Sequence, residues 1–131
     1  MTATNDAEPP KVCITAMSTN ASKRARAMHV PTIKPIDADM LVAEAKRTGR
    51  LIVVEEQSVI GGLGGAVAEV LSERYPVLVS RLGIQDCYGE SGPNEALLDR
   101  FRLSGPRLAD DIESVMGVAV RPPAALSPDR P

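Results

Sequence analysis

The sequence predicts an α/β domain built on a core of parallel strands, and three observations predict it. Apolar, β-branched runs at residues 11–17, 51–54 and 76–84 alternate with stretches whose apolar residues recur at helical spacing. The stretch from Arg50 to Leu71, RLIVVEEQSVIGGLGGAVAEVL, reads as buried strand, glycine-rich turn and helix in direct succession. A chain of 131 residues has room for one core. Aromatic residues supply only 2% of it (Tyr75, Tyr88 and Phe101), so that core is aliphatic.

Taken in order, residues 1–10 (MTATNDAEPP) are polar, end in two prolines, and suit an unstructured leader or a linker stub. Lys11 to Met17 alternates and reads as the first strand. Ser18 to Met28 is small, polar and basic, with Lys23, Arg24 and Arg26 close together, and reads as a solvated loop or short helix face. Pro31 and Pro35 hold their preceding residues extended, which predicts a short strand running into a turn. Asp37 can cap a helix from Ala38 to about Arg47 that buries Leu41, Val42 and Ala45 and closes at Gly49.

In the central stretch, Leu51 to Val54 form the strand and Glu55 and Glu56 end it. After the glycines, Ala66, Val67, Val70 and Leu71 mark the helix. Pro76 to Ile84 predicts a further strand, and Gly89 to Gly92 a loop. Pro93 suits the first turn of a helix carrying Leu97, Leu98 and Phe101, with Ser91 as a capping residue. A last helix places Leu108, Ile112, Val115 and Met116 on one stripe. The folded domain is thus expected over 11–116, with a Pro-rich disordered tail over 117–131.

Composition narrows the partners. Fifteen basic residues against seventeen acidic ones leave a formal charge of -2, and stacking platforms are lacking, which argues against nucleic acid. No apolar run approaches the roughly 18 residues of a membrane span. Two distant cysteines, Cys13 and Cys87, without a Cys-x-x-Cys pair, suit reduced thiols in the cytoplasm.

The residues with candidate chemistry surround the glycine turn. Backbone N–H groups at a helix start attract anions, so Gly61, Gly62, Gly64 and Gly65 form a candidate anion-binding or interface turn. The spacing completes neither a dinucleotide fingerprint nor a phosphate loop, and a close-packed turn explains it as well. Glu55 and Glu56 are adjacent on a strand and point to opposite faces, so they do not converge on one substrate atom. One of them can cap neighbouring backbone while the other is solvated. His29 is the single histidine, which leaves a Ser-His-Asp triad or a zinc site without its usual complement. No catalytic, cofactor-binding or metal-binding residue is assigned on this reading.

Several ordered motifs carry a family resemblance: TIKPID at 32–37, TGRLIVVEE at 48–56, IGGLGGAVAEVL at 60–71, RLGIQD at 81–86 and YGESGPNEALLDRF at 88–101. Together they resemble the C-terminal domain of the transketolase family, most of all the small subunit of split transketolases, over roughly 11–116. The resemblance implies a three-layer α/β/α sandwich on a mixed, mostly parallel sheet. It also implies ketol transfer between sugar phosphates in the complete enzyme, with thiamine diphosphate and a divalent metal held between two other domains. This chain has no Gly-Asp-Gly metal-diphosphate motif and no room for a pyrimidine domain. The expectation is therefore a structural and assembly segment that binds no cofactor itself, beside separately encoded cofactor-binding domains or a subunit, with a homodimer as an option. Two alternatives are a free-standing module that binds an anion at Gly61 to Gly65 and a non-functional remnant. The second follows from a departure at residues 18–30, where family members place a helix and a full strand and this chain has a dozen residues.

Overall fold

A computed structural model describes residues 12–17 and 25–117, with side chains from Arg26 onward. The leader expected over 1–10 and nearly all of the tail expected over 117–131 lie outside the described residues. Four strands, β1 (Val12–Met17), β2 (Ala25–His29), β3 (Arg50–Ser58) and β4 (Leu78–Ile84), form one sheet in the order β2-β1-β3-β4. The helices are α1 (Ala38–Thr48), α2 (Leu63–Arg74), α3 (Asn94–Arg100) and α4 (Gly105–Gly117).

The α/β class and the mixed sheet are as expected. Parallel pairing among the described strands is confined to β3 with β4, while β1 runs antiparallel to both β2 and β3. Connection length accounts for part of this. A parallel crossover needs a dozen or more residues, and only seven separate β1 from β2. The connection from β3 to β4 contains α2, and that pair is parallel.

Strand alternation divides the sheet into two faces. Leu51 and Val53 are fully buried on one face, where they meet Leu41 and Ala45 of α1 and Leu63, Val67 and Leu71 of α2, with Val30 completing the cluster. Arg50 and Ile52 point the other way, and the Arg50 guanidinium donates to the Val115 carbonyl of α4 at 2.8 Å. Helices on both faces make the third layer.

The ends of α1 follow the sequence expectation closely. Asp37 Oδ1 accepts from the Met40 N–H at 2.9 Å, and Gly49 closes the helix at φ 76°.

Elsewhere the structure corrects the reading. The second strand lies at 25–29, inside the segment read as a basic loop, and the turn through Pro31 and Pro35 contains no strand. Arg26, Met28 and Val30 share strand parity, but a cation at the first of these hid the alternation. Arg26 is accommodated because it reaches Glu44 of α1 at 3.0 Å. Glu55 and Glu56 do not end β3, which runs on to Ser58. Helix α2 starts at Leu63, so Gly64 and Gly65 sit in its first turn. Pro93, not Ser91, holds the cap position of α3, and no side chain caps it.

Candidate functional site

Glu55 faces the same side of the sheet as Leu51 and Val53, and only 2% of it is exposed. Its two carboxylate oxygens accept from the first backbone donors of α2, Oε2 from the Leu63 N–H at 2.8 Å and Oε1 from the Gly64 N–H at 3.0 Å. The N-cap residue of α2 is Gly62, which has no side chain, and the helix takes its capping acceptor from a neighbouring strand instead. The negative charge also sits at the positive end of the helix dipole.

This cap explains two of the four glycines. A Cβ at residue 62 would overlap the Glu55 carboxylate and come within 2.8 Å of the Ser58 carbonyl oxygen. A Cβ at residue 64 would lie 2.7 Å from two methylenes of Arg81 and 3.1 Å from Glu55 Oε1. Gly61 is needed for its φ of 74°, whereas a Cβ at Gly65 would meet nothing within 4 Å. The Arg81 side chain lies along α2 and donates to the Val59 carbonyl at 2.8 Å, tying β4 to the turn. Nothing in the motif IGGLGGAVAEVL pointed to Arg81, because its role depends on the pairing of β3 with β4.

Glu56 points to the opposite face and is exposed. It stands at the lip of a hollow between the carboxyl ends of β3 and β4 and helix α3, whose other lining residues include Ile84, Glu90, Leu97, Phe101 and Leu103. The two acids of the pair thus have separate environments, one capping backbone and one in solvent. His29 is exposed on β2, and Cys87 is exposed in the loop after β4.

The donor set of the turn does not suit the diphosphate that the sequence resemblance implies for a complete enzyme. Its first two inward N–H groups already hold a carboxylate, whose charge would repel a second anion. Among the described residues, no group of His, Cys, Asp or Glu is placed to hold a metal ion, and no helix is long and apolar enough to cross a membrane.

Comparison with known proteins now gives the family. The family described as transketolase, C-terminal domain, matches residues 10–108. The chain belongs to that family. As a transketolase C-terminal domain it is 40% identical over 84 residues to a 6-deoxy-6-sulfo-D-fructose transketolase subunit, SqwH, of Clostridium sp. (strain MSTE9), covering 64% of this chain and 26% of that protein. It is 35% identical over 106 residues to 1-deoxy-D-xylulose-5-phosphate synthase 1 of Geobacter sulfurreducens, covering 79% of this chain and 17% of that one. Among solved structures it resembles a protein described as split gene transketolase, inactive beta4 tetramer. That match has a TM-score of 0.60 and 45% identity, and covers 66% of this chain and 28% of the other. The transketolase C-terminal domain therefore spans about a quarter or less of the length of these relatives.

Proposed function

We propose that this domain is the structural and assembly segment of a transketolase-like, thiamine-diphosphate-dependent enzyme, whose ketol-transfer chemistry resides in other polypeptide. The observation that carries the reading is the Glu55 cap. The one buried carboxylate at the glycine turn is engaged at 2.8 and 3.0 Å in holding a strand to a helix, which is the work of a scaffold. Family membership supplies the reaction class, and two relatives described as a transketolase subunit and a split gene transketolase support an enzyme divided between partner chains. In this reading the partners are separately encoded cofactor-binding chains in the cytoplasm. Thiamine diphosphate supplies the covalent chemistry when bound to them.

The test is reconstitution. Chains encoded beside this one that carry the diphosphate and pyrimidine segments are mixed with it and assayed for ketol transfer between sugar phosphates, with this chain omitted as control. Activity that requires its addition supports the reading. Full activity without it, or capture of thiamine diphosphate by this chain alone, overturns the reading.

A further inference from the structure

The carboxyl ends of the parallel pair β3 and β4 form one edge of the molecule, and that edge has the character of a docking surface. The Val59 N–H donates to the Ile84 carbonyl at 3.0 Å, which sets the turn after β3 beside the end of β4. Two of the large apolar side chains exposed to solvent sit on the loops that leave this edge: Ile60 at 62% exposure and Tyr88 at 97%. Between the loops lies the hollow of roughly 240 Å³ already described, with an apolar floor of Ile84, Leu97, Phe101 and Leu103 and with Glu56 and Glu90 at its lip. Glu90 is held by Arg100 at 2.5 Å, whereas Glu56 has no cationic partner among the described residues.

An apolar floor with an unpaired acid at the rim suits a long basic side chain, whose methylene stem is buried while its charge stays at the surface. Of the two acids that line the hollow, Glu56 is therefore the one left without a cation among the described residues. A second copy presenting the same edge would set acid against acid.

The geometry points to this edge as the docking surface for another protein chain, one that inserts a lysine or arginine between Glu56 and Glu90 and covers Ile60 and Tyr88. The inference rests on the assembly role proposed above and adds the place of contact and the chemistry of the partner.

The experiment titrates immobilised full-length chain with the cofactor-binding chain encoded beside it, comparing wild type with Glu56→Lys, Tyr88→Ala and, as a control at the opposite end of α2, Glu73→Lys. Glu56→Lys and Tyr88→Ala should each weaken binding tenfold or more, with Glu73→Lys within about twofold of wild type. Wild-type affinity should also fall as salt rises from about 0.05 to 0.5 M, because the contact is charged at its rim. Circular dichroism melting of each variant confirms that the exposed substitutions leave the fold intact.

If wild type binds and all three variants bind equally, the docking edge is wrong and the assembly role stands. Absence of any binding by wild type overturns both. Should sedimentation show that Glu56→Lys dissociates a homo-oligomer while partner binding persists, a second copy is the occupant and the proposal fails.

Discussion

The carboxylate of Glu55 occupies the space that a β-carbon on residue 62 would need. Strand β3 and the turn after it are therefore specified together: the acid requires the glycine, and the glycine leaves the helix start dependent on the acid for its cap.

Gly62→Ala should destabilise the domain by about 1–3 kcal/mol, since the new methyl meets the Glu55 carboxylate and the Ser58 carbonyl at 2.8 Å. The backbone at residue 62 (φ -93°, ψ -158°) is extended and open to any residue, so the cost is steric, not conformational. Gly65→Ala is the internal control. It lies in the first turn of α2 with open space around it and should stabilise by about 0.5–1 kcal/mol. Urea unfolding of both variants checks the contrast, and equal effects would refute it.

Removing the cap from the acid's side gives an independent measurement. Glu55→Gln keeps one acceptor but turns an amide NH₂ toward the other backbone N–H, leaving that donor unsatisfied at a buried site, for a loss of about 1–3 kcal/mol. The neighbouring Glu56→Gln, on the exposed face, should stay within about 0.5 kcal/mol of wild type. Amide hydrogen exchange should locate the Glu55→Gln effect at Leu63 and Gly64.

Glu44 is a second buried acid, 7% exposed, and it joins β2 to α1. It accepts from Arg26 at 3.0 Å and from Arg47 at 2.6 and 2.8 Å. Arg26→Ala should cost about 0.2–1 kcal/mol, because that cation is largely exposed. Glu44→Ala should cost more, since it unpairs both arginines. A denaturant series including the double variant measures the coupling.

Arg102 stands at φ 61°, a left-handed conformation, and its guanidinium grips both oxygens of Asp111 at 2.6 to 3.1 Å. Arg102→Ala should therefore destabilise more than Arg102→Gly, by about 1 kcal/mol, since only glycine relieves the backbone. Hydrogen bonding from Arg102 lowers the Asp111 pKa below its usual 3.8. A lowered folded-state value means that the unfolded chain binds the proton more readily. The pair's contribution is then present above about pH 3.8 and fades as pH falls through the lower folded-state value. Wild type and Asp111→Asn should accordingly converge in stability below that range, as followed by urea unfolding from neutral to strongly acidic pH.

Local chemistry by itself determined much of this protein. Asp37 and Gly49 mark both ends of α1 because a cap and a left-handed closing residue act within one turn of chain. The branched run Leu51 to Val54 is a strand, and the glycines make a turn, for reasons contained in their own few residues. That Glu55 and Glu56 face apart follows from the strand period of two. Only the tertiary structure decided which of the two is buried, why Gly62 and Gly64 must lack a side chain, and that Arg81 braces the turn. Each of these depends on a carboxylate or a methylene brought from another element, a distance that no spacing along the chain encodes. The same holds for β2, whose Arg26 looks like a loop residue until Glu44 arrives opposite it. Segments stabilised by near neighbours are legible in sequence, whereas contacts made across the sheet exist only once the sheet has formed.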